Sequence, residues 1–241
     1  MATRLPALKV PPISFAHRGA RAHAPENTLE AFELALRLGA SGLESDVWLT
    51  ADGEAVLDHD GVVGRRGLRR VRIGDVARAD LPAHVPTLAD LYATCGTAFD
   101  LSLDVKDPAA FARVVDVATA AGGGAPERLW LCHHDWEVVA GWRQANAEVR
   151  VVDSTRLDRI KEGPERRAAR LSGAGVDAVN MHHVDWTGGL VALFHRFDVL
   201  AFGWDAQLPR VLGELVDMGI DALYSDHVDR MVDAVTAAYP S

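Results

Sequence analysis

The chain is poor in cysteine and has no long hydrophobic run. Of its 241 residues only Cys95 and Cys132 are cysteines, too few for a disulfide framework and without metal-ligand spacing. Two core thiols in a reducing compartment are the interpretation we favour, with a single bridge as the alternative. No window of about 18 apolar residues could span a membrane, and prolines interrupt the N-terminal MATRLPALKVPP before it reaches signal-peptide length. We therefore expect a cytoplasmic protein without integral membrane contact.

Positive charge is also in deficit. The chain has 25 Lys and Arg against 34 Asp and Glu, for a net charge of −9. Because neutralisation of phosphates supplies most of the affinity for nucleic acids, we expect no nucleic-acid partner. One segment runs against this trend, with Arg65, Arg66, Arg69, Arg70 and Arg72. It is either a solvated loop or a cationic lip that steers anionic substrates into a cleft.

Short apolar runs alternate with helical patterns along the whole length, which is typical of a parallel sheet built from βα units. The predicted strands are Ile13–Ala16, Gly42–Leu49, Phe99–Val105, Arg128–Cys132, Val149–Val152, Asp177–Met181, Asp198–Gly203 and Ile220–Ser225. In a chain of this length, eight such pairs predict an α/β fold, a (β/α)8 TIM barrel, as one domain over residues 1–241. Residues 61–86 form a short insertion after the second strand. The alternative is an open doubly wound sheet, which would favour a glycine-rich loop after a strand.

Two helices have clear boundary signals. Asn27 is placed to cap the first helix, with Glu30 three residues on in capping-box position. Apolar residues from Leu208 to Val216 recur with helical period, and Gly219 closes that helix as a left-handed cap would. A further helix is expected to begin near Thr87.

His17 is predicted at the end of the first strand, where barrel enzymes carry their active sites. Arg18 follows it, and Gly19 allows the backbone to turn sharply. A histidine at a strand end is often structural, but a second one, His59, favours chemistry. Two groups that titrate near neutral pH can serve as base and acid in one cycle. Asp60 is expected either to orient a ring or to cap the next turn.

Glu44 and Asp46 lie two residues apart on the second predicted strand, so their side chains share a face. Two carboxylates facing inward at a barrel mouth repel each other and are costly to bury without a cation. Mg²⁺ or Ca²⁺ would resolve this, since both prefer oxygen ligands. The alternative is a pair of ionised groups held by Arg18 and Lys106.

Asp104 and Lys106 repeat this spacing at the end of the third predicted strand. If that strand neighbours the second, Asp104 becomes a third carboxylate for the metal. Lys106 could then neutralise a phosphate oxygen as a point charge. A surface ion pair between Asp104 and Lys106 is the alternative.

From His17 to Asp60 the sequence resembles the glycerophosphodiester phosphodiesterase family. The matching stretch combines, in order, H-R-G, the P-E-N-T turn, E-x-D, T-x-D-G and H-D. Weaker similarities extend the resemblance over nearly the whole chain: Pro86-Thr87-Leu88, Asp104-x-Lys106, Trp204 and Ser225-Asp226.

The resemblance implies a (β/α)8 barrel, a divalent cation (usually Mg²⁺ or Ca²⁺) and a small-molecule glycerophosphodiester substrate. Hydrolysis would yield glycerol 3-phosphate and an alcohol, the glycerol 2-hydroxyl attacking phosphorus to form a cyclic phosphate that water opens. The roles transfer by position as follows: His17 and His59 as the acid/base pair, Glu44, Asp46 and Asp104 as metal ligands, Arg18 and Lys106 as phosphate ligands.

Several positions depart from the family pattern. Asp104 stands where the family usually has Glu, Cys132-His133-His134 where Ser-Phe is common, and Asp205 and Ser225 where Thr is usual. These changes cluster at the predicted barrel mouth, so they concern the substrate more than the reaction type.

The mouth also carries residues whose role stays open. Trp204 would pack against a substrate group or belong to the core. Adjacent histidines on an extended chain face opposite ways, so at most one of each pair His133/His134 and His182/His183 should look inward. They would contact the alcohol part of a substrate, with a second transition-metal site as the alternative.

Two rival functions keep the same fold. A lysophospholipase D or a phosphatidylinositol-specific phospholipase C-like enzyme would use the same site but needs an apolar groove or a membrane-facing surface. A catalytically inactive binding barrel would need a lost acid/base or metal residue, for which only Asp104 is a candidate.

Overall fold

Strands and helices alternate along the computed structural model, which describes residues 4–64 and 70–240. The strands are β1 Ile13–Ala16, β2 Gly42–Leu49, β3 Ala55–Leu57, β4 Val62–Val63, β5 Val71–Arg72, β6 Asp100–Val105, β7 Leu129–His133, β8 Arg150–Ser154, β9 Ala178–His182, β10 Leu200–Trp204 and β11 Ala222–Ser225. The helices are α1 Leu29–Arg37, α2 Leu88–Cys95, α3 Ala110–Ala121, α4 Trp136–Ala145, α5 Pro164–Gly173, α6 Gly188–His195, α7 Pro209–Asp217 and α8 Val228–Ala238.

Eight parallel strands close into a ring in the order β1-β2-β6-β7-β8-β9-β10-β11, and β1 pairs with both β2 and β11. Strand β3 lies outside the ring and pairs antiparallel with β2. The predicted (β/α)8 barrel is therefore confirmed, and the open sheet is excluded. All eight predicted strands agree with the structure to within two residues at either end.

Aromatic side chains fill the interior of the barrel. Phe15 stacks on Tyr224 with ring centroids 4.8 Å apart, and Trp130 meets Phe202 edge-on at 5.2 Å. All four side chains are buried. A second, larger core of mainly aliphatic residues lies between the strands and the helices. Because the interior is packed rather than hollow, chemistry is confined to the ends of the barrel.

Helix boundaries match the sequence signals except at the first helix. Thr28, not Asn27, caps α1, and its hydroxyl accepts a hydrogen bond from the Ala31 N–H. Asn27 has φ of +55° and accepts a bond from the Ser45 hydroxyl at 2.7 Å. The Asn27 prediction was thus wrong by one residue, because this asparagine turns the chain and fastens it to β2.

The other two helix predictions are confirmed. Thr87 begins α2 with a full capping box, in which Asp90 returns a bond to the cap. Helix α7 buries its apolar face, and Gly219 follows it with φ of +81°.

The insertion at 61–86 contains the β4–β5 hairpin and short 3₁₀ turns. Of the basic segment, Arg65, Arg66 and Arg69 lie outside the described residues. Arg70 is exposed and lies 3.4 Å from Asp60. The cationic lip therefore stays a prediction.

The N-terminal segment 4–9 crosses the amino ends of the strands, opposite the predicted site. The backbone N–H groups of Leu8 and Lys9 both donate to the fully buried carboxylate of Asp221. None of the described helices combines the length and apolar character that crossing a bilayer requires.

Candidate active site

A cavity of about 480 Å³ opens at the carboxyl ends of the strands. Eight side chains predicted from the sequence line it together: His17, Arg18, Glu44, Asp46, His59, Asp104, Lys106 and Trp204. Positions separated by almost 190 residues in the chain thus share one space, because parallel strands in a barrel end at the same face.

The turn after β1 aims His17 and Arg18 into this cavity. Arg18 has φ of +51° and Gly19 has φ of +79°, so the backbone reverses within two residues. A Cβ added at Gly19 would lie 2.8 Å from the Cβ of Ala31, so only glycine fits against α1. A non-glycine residue with positive φ is strained, and such strain is found at functional sites.

His17 is held by a carboxylate from the far end of the chain. Its Nδ1 lies 2.6 Å from Oδ1 of Asp226, while its Nε2 lies 3.8 Å from Oε2 of Glu44. Since an ionised carboxylate only accepts, Nδ1 carries the hydrogen and Nε2 is left for chemistry. Burial lowers the pKa of His17, but the Glu44 charge and the Asp226 hydrogen bond outweigh it, so the pKa is raised. Asp226 belongs to the Ser225-Asp226 motif of the sequence, from which its contact with His17 was not predicted.

His59 is oriented in the same way by its own neighbour. Its Nδ1 lies 2.9 Å from Oδ1 of Asp60, and the side chain is 41% exposed. The next turn is capped instead by Asp58, which accepts from the Gly61 N–H at 2.8 Å. Of the two roles predicted for Asp60, orientation of the ring is therefore the one observed.

Glu44 is a buried carboxylate whose pKa is raised to about 7, chiefly by burial, with a smaller contribution from the Asp46 charge and opposition from His17. Its Oε2 accepts a hydrogen bond from the backbone N–H of Arg18 at 2.9 Å. Glu44 has no side-chain ion pair with Arg18 or Lys106. The ion-pair alternative therefore does not account for it.

Asp46 does follow that alternative. Lys106 Nζ lies 2.9 Å from its Oδ1, and Arg18 Nε lies 3.6 Å from its Oδ2. Burial still outweighs these cations and raises the pKa of Asp46. Its Oδ2 is buried and has no hydrogen-bond partner among the described residues.

Asp104 lies directly opposite Asp46 in the register of β2 and β6, as the sequence analysis required. The Lys106 ammonium contacts both carboxylates. Burial lowers the pKa of Lys106, but Asp104 and Asp46 outweigh it and raise the value. The lysine is therefore a permanent cation beside the two acids.

The donor set of Glu44, Asp46 and Asp104 fits a hard divalent cation. All three offer oxygen, one oxygen of Asp46 is buried without a partner, and burial disfavours both inner carboxylates in their charged forms. The three carboxylates do not all converge, because at least two of them have their ligand oxygens more than 4.8 Å apart. Among residues 4–64 and 70–240, two other groups of side chains bring their ligand atoms within that distance. Those groups are His23, His227, Asp229 and His182, His183, Asp205.

The prediction that adjacent histidines face opposite ways was wrong. The rings of His133 and His134 lie 4.3 Å apart, and those of His182 and His183 stack at 4.5 Å. Strands β7 and β9 end at His133 and His182, so the following residue no longer alternates across a strand. The rings of His133 and His134 both line a cavity next to the candidate active-site cavity.

Trp204 lines the catalytic cavity and also packs on the barrel core. The core contact predicted for it is therefore observed, and its contact with a substrate group stays a prediction. Its ring meets His182 edge-on with centroids 4.5 Å apart.

The floor of the cavity is a buried polar cluster that sequence reasoning did not find. Ser102 Oγ lies 3.0 Å from the Tyr224 hydroxyl and 3.4 Å from Cys132 Sγ. Burial raises the pKa of Tyr224 and of Cys132, so both are neutral. Cys95 and Cys132 are free thiols, one half-buried and one buried, which excludes a bridge between them.

Comparison with known proteins gives the same result as the geometry. The profile described as "Glycerophosphoryl diester phosphodiesterase family" matches residues 17–230. The chain is 54% identical over 50 residues to a glycerophosphodiester phosphodiesterase of Caldanaerobacter subterraneus subsp. tengcongensis, an alignment that covers 21% of each protein. It thus aligns with about a fifth of the length of several such relatives.

Solved structures support the fold over almost the full length. Glycerophosphodiester phosphodiesterase from Thermotoga maritima superimposes with a TM-score of 0.79 at 22% identity, covering 92% of this chain and 97% of the other. An Oleispira antarctica phosphodiesterase, solved in complex with the product sn-glycerol-3-phosphate, gives 0.80 at 20% identity, covering 93% and 96%.

The fold and its mouth define a (β/α)8 barrel with a polar, carboxylate-rich site. The profile match over most of the chain makes the family specific: the protein belongs to the glycerophosphoryl diester phosphodiesterase family.

Proposed function

We propose that the protein hydrolyses glycerophosphodiesters to glycerol 3-phosphate and an alcohol, with a divalent cation and with His17 and His59 as the acid/base pair. The observation that carries the proposal is the meeting in one cavity of two histidines, each bonded to an aspartate, with three carboxylates and two cations. Family membership supports the same reaction, as does the product complex of the Oleispira antarctica relative.

The two histidines supply the proton transfers. Each has Nδ1 fixed by an aspartate, so each presents Nε2 as the reactive nitrogen. One imidazole takes the proton of the glycerol 2-hydroxyl as that oxygen attacks phosphorus. The other gives a proton to the departing alcohol oxygen. In the second half of the reaction the two histidines exchange roles. One takes a proton from the water that opens the cyclic phosphate, and the other gives a proton to the 2-oxygen as it departs.

The phosphate is held by Arg18 and Lys106. Arg18 is nearly buried, with a guanidinium that also contacts Glu26 at 3.1 Å, so its orientation is fixed before substrate binds. Lys106, which contacts the Asp46 and Asp104 carboxylates, adds a point charge. Glu44, Asp46 and Asp104 would hold the cation, which would lower the pKa of the attacking hydroxyl and neutralise charge on the phosphate.

The cavity favours a small polar substrate. Its walls carry four carboxylates, two cations and two histidines, none of which suits an acyl chain. This supports a deacylated diester over a lysophospholipid.

Removal of the metal gives the direct test. We expect purified protein to release glycerol 3-phosphate from glycerophosphodiesters in the presence of Mg²⁺ or Ca²⁺, and chelator to abolish the release. Re-addition of the cation should restore it. Asp46→Asn is the matched variant, since it keeps the shape and removes the charge of the ligand. Full activity in excess chelator would contradict the metal role, and no release from any diester would contradict the proposed function.

Asp226 is expected to act as a positioning residue. In Asp226→Asn the amide can still bond Nδ1, but it no longer fixes the tautomer or supports a proton on the ring. We expect kcat to fall about tenfold, less than the roughly 10²–10⁴ that an acid/base group itself contributes, because Asp226 acts through His17, and the limb of the pH profile that reports His17 to move to lower pH. The shift follows from the pKa of His17, which the Asp226 hydrogen bond raises in the intact protein.

A merely structural role for Asp226 would give a different result. It would lower the amount of folded protein or change KM, and the pH profile would keep its position. Asp229→Asn is the control, because Asp229 bonds the exposed His23 at 3.1 Å instead of a histidine in the cavity.

A further inference from the structure

A second cavity adjoins the catalytic one. It has a volume of about 470 Å³ and shares Asp104, Lys106, Ser154 and Trp204 with its neighbour. Trp48 and Trp204 are its aromatic walls, and His133 and His134 both face it. The shared wall contains Lys106, the residue proposed to bind phosphate, so one substrate molecule can extend from one cavity into the other.

The two cavities carry opposite charge. The catalytic one has four acids and two cations in its lining, taken with neutral histidines: Glu44, Asp46, Asp104 and Asp205 against Arg18 and Lys106. The second cavity has three cations and a single acid: Lys106, Arg156 and Arg159 against Asp104. This basic pocket is unusual in a chain of net charge −9.

The two arginines of the basic cavity differ in their freedom. Arg156 is fixed, because its Nε lies 2.5 Å from Asp185 and its guanidinium lies 5.9 Å from the centre of the Trp204 ring. Arg159 is exposed and has no ion-pair partner among the described residues. The Arg159 charge is therefore available to a ligand, whereas Asp185 partly neutralises that of Arg156.

A cationic ligand would find little to bind there. A quaternary ammonium is normally recognised on the open face of an aromatic ring. Arg156 already lies over Trp204, and together with Lys106 and Arg159 in the same lining it would repel a second cation, including one placed on Trp48. An anionic group would instead meet Arg159, with imidazole N–H groups of His133 and His134 nearby. Burial and the neighbouring His134 lower the pKa of His133, so this ring is a neutral donor at pH 7.

We propose that the second cavity binds the alcohol moiety of the diester and selects an alcohol that carries its own negative charge, such as a phosphorylated polyol. The inference rests on the proposed function and names its substrate class. Glycerol belongs in the catalytic cavity, where its 2-hydroxyl must meet the histidines and the carboxylates. The other ester arm then extends past Lys106 into the basic cavity.

The test compares three diesters that differ in the charge of the alcohol: glycerophosphocholine, glycerophosphoglycerol and glycerophosphoinositol 4-phosphate. With the wild-type protein at low salt, kcat/KM for release of glycerol 3-phosphate should rise in that order, by about tenfold or more from first to last. Arg159→Gln should remove most of this preference, by lowering the value for the anionic diester and raising the value for the choline diester, whose cation Arg159 repels. Arg159→Lys should retain much of the preference, because it keeps the charge.

Arg166→Gln is the matched control. Arg166 is an exposed arginine on α5 that does not line either cavity. Its substitution therefore makes the same change in net charge as Arg159→Gln but leaves both cavities unaltered. Equal kcat/KM for the three diesters, or equal effects of the Arg159 and Arg166 variants, would overturn the inference and leave the proposed function intact. No glycerol 3-phosphate from any of the three would contradict the proposed function, and the inference with it.

Discussion

His17→Ala is expected to lower kcat by roughly 10²–10⁴, the usual contribution of a general acid/base group. His59→Ala should give a loss in the same range. In both variants Arg18, Lys106 and the three carboxylates remain in place, so KM should change much less than kcat. Steady-state kinetics on a single glycerophosphodiester at saturating Mg²⁺ provides the measurement.

His23→Ala is the control for this comparison. His23 also bonds an aspartate, Asp229, but it lies at the surface and does not line the cavity. The loss of the His23 side chain should leave kcat within twofold of the wild-type value. Losses below tenfold in both His17→Ala and His59→Ala would contradict the assigned roles.

The same variants separate the acid from the base. A diester with a leaving group that departs without a proton, such as a 4-nitrophenyl ester of glycerol phosphate, does not need the acid in its first step. Release of nitrophenol should therefore recover in the variant that lacks the acid and stay slow in the variant that lacks the base. If neither variant recovers, the division of labour between the two histidines is wrong.

The barrel could be predicted because its signal is local and repeated. Each strand is a short apolar run, each is followed by a helical pattern, and parallel strands of this kind need both faces covered. The grouping of the carboxylates could be predicted because side chains alternate between the two faces of a strand. Glu44 and Asp46 share a face of β2, and the pairing of β2 with β6 placed Asp104 opposite Asp46.

The contacts that tune the site were less accessible to the sequence. Asp226 is 209 residues from His17, and although Ser225-Asp226 is part of the family resemblance, its local pattern does not show that it contacts that histidine. The close approach of the His133 and His134 rings depends on the residue at which β7 ends, and strand ends are the least certain part of any assignment. The Asn27 cap failed for a related reason: its side chain was already engaged by Ser45.

Asp221 was also missed, because a single acid before an apolar run has no recognisable signature. Its carboxylate is fully buried and is satisfied by four donors. Oδ1 accepts from the N–H groups of Leu8 and Lys9 at 2.7 and 2.8 Å. Oδ2 accepts from the Ala201 N–H at 2.8 Å and contacts His195 Nε2 at 2.7 Å. One side chain thus joins the N-terminal segment, α6, β10 and β11.

Asp221→Ala is expected to lower the free energy of unfolding by about 3–5 kcal/mol, measured by urea denaturation. Hydrogen bonds to a charged group contribute about 1.5–3 kcal/mol each, and the Ala201 N–H and the His195 ring stay buried without their partner. The N–H groups of Leu8 and Lys9 lie at the surface and can turn to water, so they add little to the loss.

The N-terminal segment should loosen in the same variant. Backbone amides of Leu5 and of residues 7–9 are expected to exchange hydrogen faster, while the amides of β2 and β6 in the barrel change only with global stability. Asp217→Ala is the control, since the side chain of this exposed acid makes no hydrogen bond or ion pair among the described residues, and the variant keeps the backbone carbonyl that accepts from the Leu5 N–H. Surface changes of this kind stay within about 0.5 kcal/mol. A loss below 1 kcal/mol in Asp221→Ala, or unchanged exchange at Leu5 and residues 7–9, would show that the segment is anchored by its other contacts.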